Sequence, residues 1–291
     1  MTNSQGYALL AVVTVIWAGN FPLAKAGLAE IDPITLTATR ALVTAPALVA
    51  FVRARYGPLP PLRRRDHVTF VILSLTGLVG NTTAWYWGMQ YTTAVNAGIL
   101  GAAAPVIVAL VGAVWLRDPL SRRNIAGIAL TAVAVLITIA HGSVEVLRTL
   151  SFNRGDIIIL GSQLLWTTYT LYSRANSSAL PSATVQAGAC LVSASVLLPM
   201  ALFERPWVTL PRAGWAGWGA VFYAAGLGTV SHIWYYQCVR VVGAGRAAVF
   251  TNLTPFVVIA LSALLLGEAV RWYHLVGATA VLAGVVMATT R

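Results

Sequence analysis

The chain has 291 residues, 58% hydrophobic and only 9% charged, with a net charge of +11 at neutral pH. A soluble globular domain carries about 25% charged residues, whereas apolar runs of about 20 residues recur here along the whole length, each long enough to cross a bilayer core of roughly 30 Å. These values exclude a soluble globular class and leave no long polar region for a separate soluble domain; they predict an all-α polytopic membrane protein whose helices satisfy their own backbone hydrogen bonds.

In chain order the predicted spanning segments are Tyr7–Leu28, Ile34–Arg53, Val68–Gln90, Ala94–Trp115 and Ile125–Ala140, then Ile157–Ser173, Thr184–Phe203, Trp215–Val239, Ala247–Leu266 and Trp272–Ala288. That makes about ten crossings, each set by an apolar length near 20 residues. Asp32-Pro33, Gly57-Pro58-Leu59-Pro60-Pro61 and Leu180-Pro181-Ser182 punctuate them as turns. The first run has no positive leader before it and no cleavage site after it, so it reads as a retained helix. The basic residues, all arginines except Lys25, sit mainly in short loops. There they set topology and do not imply a nucleic-acid partner. The clusters at 53–65 and 117–123 place those loops, and both termini, in the cytoplasm. Cys190 and Cys238 fall inside apolar segments and imply neither a disulfide framework nor a zinc site.

The chain repeats itself. Pro105, Leu116, Asp118 and Gly127 answer to Pro255, Leu266, Glu268 and Gly277 at one constant offset. Trp17 answers to Trp166, and Trp85-Tyr86-Trp87 to Trp234-Tyr235-Tyr236. The expected units are 1–145 and 146–291, each with five helices. An odd number of helices forces the two units into opposite orientations, an arrangement that puts a substrate site near the midplane where the repeats meet.

Trp17-Ala18-Gly19-Asn20-Phe21 resembles the Trp-Gly-x-x-Phe start of an EamA repeat, in the drug/metabolite transporter superfamily. The proline of the fourth helix, the acidic residue ending it and the glycine of the fifth also resemble that repeat. The match is closest in the second half, through Pro255, Gly267-Glu268 and Gly277. The first half departs, with Arg117-Asp118-Pro119 where Gly-Glu is usual, and the sixth helix keeps only its tryptophan. The chain is most similar to the YddG-type aromatic amino-acid exporters. The resemblance implies a basket-like transporter of two inverted five-helix repeats, moving amino acids or related metabolites across the bacterial inner membrane.

Proline in a helix frees the carbonyl four residues earlier and bends the axis. The freed carbonyls belong to Gly101 and Thr251, so Gly101, Pro105, Thr251 and Pro255 are the candidate hinge. The competing reading is a static kink whose backbone groups are re-satisfied by neighbours. Candidate cavity residues combine aromatic faces with single polar atoms: Trp17 and Asn20, Asn81, Trp85 and Tyr86, then Gln163, Trp166 and Tyr169, and last His232, Tyr235 and Tyr236. Aromatics near helix ends also serve as interfacial belts, the reading given to Tyr7, Trp207, Trp272 and Tyr273. Asn96 and Asn252 lie in the kinked helices, where an amide either binds substrate or ties helices together. Gln163, Trp166, Thr167 and Thr170 read as one stripe. Arg40 is the most embedded charge, a functional candidate by default that also stands within snorkelling reach of its helix end. His232 is the deep histidine, able to titrate near physiological pH or simply to be satisfied by a neighbour.

No intramembrane carboxylate is expected: Asp118 and Glu268 end helices and the other acids fall in loops. Asp118-Pro119 reads as an N-cap followed by proline at the first helical position. Proton pumps keep acidic or histidine relays in the membrane, so the expected function is uncoupled, facilitated export of aromatic and other neutral amino acids and related metabolites. The alternatives are proton-coupled drug or metabolite efflux, a nucleotide-sugar carrier, which would want more basic cavity residues, an intramembrane enzyme and a scaffold. An enzyme needs a nucleophile–base pair or a metal cluster, and no such motif is evident. The expected partners are the small-molecule substrate and membrane lipid, with no cofactor, metal or obligatory protein partner.

Overall fold

The computed structural model describes residues 2–57, 61–115, 117, 119–176, 180–243, 247 and 250–289, excluding the side chains of 3, 174, 232, 233, 236, 240 and 289. Among these residues all regular structure is helical. The principal helices are α1 (Asn3–Gly27), α2 (Pro33–Tyr56), α3 (Arg64–Tyr91), α4 (Ala94–Trp115) and α5 (Arg122–Ile139). After a short helix at Val144–Thr149 come α6 (Arg154–Ala175), α7 (Ser182–Ala201), α8 (215–242), α9 (Thr254–Leu266) and α10 (Trp272–Thr289). Six of them, α1 to α5 and α7 with its extension to Glu204, are long and apolar enough to cross a membrane.

Local chemistry sets the starts. Thr2 and Gln5 form a reciprocal capping box on α1, and Ser121 and Asn124 form another on α5. Pro33 opens α2 at a position where its missing N–H costs nothing. The Ser121 cap corrects the expectation for the α4–α5 turn. Pro119 lies outside the helix, which begins at Arg122; Asp118 lies outside the described residues.

Two features interrupt the rods at matched places. The α4 helix breaks at Ala103, between Ala94–Ala102 and Ala104–Trp115. Its Ala103 N–H donates to Leu100 O at 3.2 Å, and Val106 and Ile107 donate back to Ala103 O. Leu253 repeats this pattern before α9: its N–H donates to Phe250 O at 3.1 Å, and Phe256 and Val257 donate to Leu253 O. Each break tightens to a three-residue bond two positions before the proline, whose ring nitrogen carries no donor. The second interruption is a π-helical stretch, Ser74–Thr82 in α3 and Tyr223–Leu227 in α8. Ser74 and Tyr223 stand as far apart in the chain as Trp85 and Trp234 do.

Helix contacts come in matched sets. α5 packs on α10, α2 on α7 and α4 on α9, while α1 packs on α8 and α9 and α6 packs on α3 and α4. The α5–α10 seam is the tightest. A Cβ on Gly284 would lie 2.7 Å from Gly127 O and even closer to Thr131 Oγ1, so only glycine lets these backbones approach.

One end of the bundle is fastened by carboxylates on foreign helix N-termini. Glu30, after α1, accepts from Gly214 and Gly217 N–H at the start of α8. Glu204, after α7, accepts from Ile34 N–H, Thr35 N–H and Thr35 Oγ1 at the start of α2. Glu268, after α9, accepts from Ala94 N–H at 2.8 Å and Val95 N–H at 3.0 Å at the start of α4. Each carboxylate supplies orphan helix donors and meets the positive end of the dipole. Lys25 does the reverse at the α3 end, donating to the carbonyls of Met89 and Thr92. We refer to this face as the capped end.

Candidate functional site

The aromatic candidates fall into three contacts. Trp17 on α1 lies 5.1 Å from Tyr235 on α8, and its Nε1 donates to Ser231 Oγ at 2.9 Å. Trp85 on α3 meets Phe21 on α1 edge-on at 5.6 Å, and its Nε1 points to Met89 Sδ. A Cβ on Gly101 would lie 2.5 Å from the Trp85 ring, so the indole is seated directly on the candidate hinge glycine. On α6, Trp166 stacks on Tyr169 at 5.2 Å with planes 15° apart. Tyr169 in turn covers Gly77 in the π stretch of α3 and donates to Gln186 Oε1 at 3.2 Å. The π stretch of α8 makes the equivalent contact with α1, where the Tyr223 hydroxyl sits over Gly19 and donates to Ile16 O at 2.9 Å.

The polar candidates separate into bound and open groups. Asn81 donates to Ser162 O and so ties the α3 π stretch to α6. Gln163 is buried and donates to Ile159 O and Ser162 Oγ. Tyr86 is buried, and its hydroxyl accepts from Arg40 Nη1 at 3.4 Å. The expected α6 stripe divides: Gln163 and Thr167 are buried, whereas Trp166 is 40% exposed. Asn20 and Asn252 are half-buried with no side-chain hydrogen bond among the described residues. Thr251 is half-buried beside Asn252, Pro255 is buried and Pro105 is exposed. The side chains of His232 and Tyr236 lie outside the described residues.

One acid expected in a loop instead lies in a helix and inside the packed bundle. Asp156, in the first turn of α6, is fully buried. Its Oδ1 accepts from Thr92 Oγ1, and both carboxylate oxygens accept from Asn96 Nδ2, at 3.4 and 3.2 Å. His141, just beyond α5, places Nε2 3.7 Å from Asp156 Oδ2 and 3.4 Å from Asn96 Nδ2. The His141 side chain is 43% exposed and its ring stacks on Tyr273 at 5.7 Å. Asn96 is thus an amide committed to the bundle, with one atom spare: Oδ1 is buried without a partner among the described residues. The sequence signal for this burial was a pair of glycines. Gly88 on α3 and Gly155 beside Asp156 lie against each other's backbones, with room for no side chain, and their contact closes α3 onto α6 over the carboxylate. Glu268, by contrast, is a structural cap on α4 and not a free acid.

An apolar crevice of about 220 Å³ opens on the flank between α2, α3 and α7, lined by Val49, Val52, Phe70, Ala187, Gly188 and Leu191. It shares no residue with the candidate set.

Comparison with known proteins gives a consistent answer. The model of the EamA-like transporter family matches twice, over residues 4–140 and 153–290. The chain is 25% identical to the uncharacterized transporter YyaM of Bacillus subtilis (strain 168) over 99% of its own length and 95% of the relative's. It is 28% identical to an uncharacterized transporter of Archaeoglobus fulgidus, covering 99% of both chains. A probable terminal-alkyne amino-acid exporter of Streptantibioticus cattleyicolor is 26% identical over 100% of this chain and 95% of that one. A crystal structure of a protein 20% identical superposes with a TM-score of 0.65 over 99% of this chain and 98% of the other, which is a likeness of fold.

Proposed function

The chain belongs to the EamA-like transporter family and is a multi-pass membrane transporter; within that family, we propose that it exports amino acids, aromatic and other neutral ones, together with related metabolites. The observation that carries the alternating-access part of this reading is the repeated break at Ala103 and Leu253, each with the same hydrogen bonds and each two residues before a proline. Two helices of one design, packed on each other as α4 and α9 are, are what a gate for each side of the membrane requires. The substrate class is supported by the amino-acid exporter among the relatives and by the Trp17–Tyr235 and Phe21–Trp85 contacts, where aromatic faces meet single polar atoms. The half-buried amides of Asn20 and Asn252 are the proposed partners for an amine or carboxylate, with Trp17, Trp85 and Tyr235 as the aromatic lining. Gly101, Pro105, Thr251 and Pro255 form the hinge.

The same reading takes residues 1–145 and 146–291 as two inverted five-helix units with ten crossings. The exchange of packing partners between α1 and α6 supports it. Arginine placement supports both termini being cytoplasmic with the capped end outward, and the reading places the chain in a bacterial inner membrane. A transporter is favoured over an intramembrane enzyme because every relative described above that carries a name is a transporter. The case for uncoupled export rested on the lack of a buried carboxylate. Asp156 removes that support, and proton-coupled efflux is the second reading, favoured by this one observation.

The test is reconstitution into liposomes with a panel of labelled amino acids, with and without a pH gradient. Saturable flux of aromatic or other neutral amino acids is expected. No flux of any amino acid would refute the substrate class, and flux indifferent to the gradient would refute the coupled reading.

A further inference from the structure

We propose that Asp156 and His141 form a proton-binding site that ties α4, α5 and α6 together at the capped end. The inference deepens the transport reading, since it names the ion such a protein would exchange. It stands on geometry alone. Asp156 is fully buried, and the group within ion-pair distance is His141, at 3.7 Å. Thr92 and Asn96 donate hydrogen bonds to the carboxylate but bring it no charge.

Three other charged groups around the site are already engaged. The Lys25 ammonium is spent on the carbonyls of Met89 and Thr92. The Arg154 guanidinium lies 3.6 Å from the centre of the Tyr91 ring. Glu268 is bound to the N–H groups of Ala94 and Val95. On the α10 side, Tyr273 stacks on His141, His274 Nδ1 accepts from the Arg271 backbone N–H, and the Arg271 charge lies near both Tyr273 and His274.

A buried carboxylate with neutral neighbours is costly unless it gains a proton or a cationic partner. One proton does either job here. On His141 it creates the imidazolium that pairs with Asp156; on Asp156 it removes the charge. Asn96 turns its Nδ2 to the carboxylate, and its Oδ1 is buried with no partner among the described residues. His141 is partly exposed, so the proton has a route to water while the carboxylate does not. The pair therefore has a buried acceptor and a partly exposed imidazole at its mouth. Asn96 sits on the segment of α4 that ends at the Ala103 break, so the site grips the mobile side of that helix.

The test needs no substrate, so its failure is separable from failure of the amino-acid reading. Infrared difference spectra of the purified full chain are recorded between about pH 9 and about pH 5. A protonated-carboxyl band is expected that is absent in Asp156→Asn. In His141→Gln the midpoint of that band should rise by about one pH unit or more, because the imidazolium that favours the carboxylate is gone. Thr92→Val removes a donor to the same carboxylate and should move the midpoint the same way, which keeps the test open should Asp156→Asn fail to fold. A band that persists in Asp156→Asn, or midpoints unmoved in both His141→Gln and Thr92→Val, would overturn the proposal.

Discussion

Replacing Glu268 with alanine tests the fastening of the capped end. Its two oxygens accept from Ala94 and Val95 N–H at 2.8 and 3.0 Å, and both of those residues are fully buried. The substitution leaves two donors at the α4 start without a partner and removes a negative charge from the positive end of the helix. A hydrogen bond to a charged group contributes about 1.5–3 kcal/mol and the dipole term adds up to about 2 kcal/mol at a partly buried site. These contributions overlap, since one carboxylate makes both bonds, so the expected loss is about 2–4 kcal/mol. Glu268→Gln keeps one acceptor oxygen and loses the charge, and should cost about half as much. The assay is reversible unfolding in detergent, with Glu145→Ala as the control; Glu145 sits exposed on a short helix and its loss should stay within about 0.5 kcal/mol. If Glu268→Ala falls within that control range, cross-helix capping does not hold this end together.

Gly284→Val should cost at least about 2 kcal/mol in the same assay, because the new side chain meets Thr131 and the Gly127 carbonyl across the α5–α10 seam. Gly161→Ala is its counterpart: nothing lies within 4 Å of the added Cβ, and a helical glycine replaced by alanine should gain roughly 0.5–1 kcal/mol. Equal effects of the two would contradict the packing described for the seam. Pro105→Ala and Pro255→Ala should each slow amino-acid flux several-fold in liposomes; unchanged rates in both would remove the hinge.

Much of the helical framework was legible because hydropathy alone carries it. The α4 run, Ala94–Trp115, coincides with its expected limits, and α10 begins at Trp272 as expected. The broken helices were legible for another reason: proline acts on its own backbone, so Pro105 and Pro255 announced the turns at Ala103 and Leu253 locally. What escaped was every feature made by partners distant in sequence. Glu30, Glu204 and Glu268 look like ordinary loop acids until the helix each one caps is known. Asp156 looked like a loop acid too. Its burial depends on Gly88 and Gly155 closing two backbones, and neither glycine means anything until α3 and α6 are known to be neighbours.

The paired π stretches in α3 and α8 bear on how this chain came to be. A π turn holds an additional residue, and one residue advances the following face by about 100°. Had the extra residue entered only one half, Trp85 and Trp234 would point in unrelated directions and the two halves would no longer align without a gap between stretch and tryptophan. They do align. The parsimonious history is one insertion in the ancestral unit, copied with it when the gene doubled. Deleting a residue from either stretch today would put the copies out of phase, swinging one aromatic cluster away from the helix it meets and leaving its twin in place.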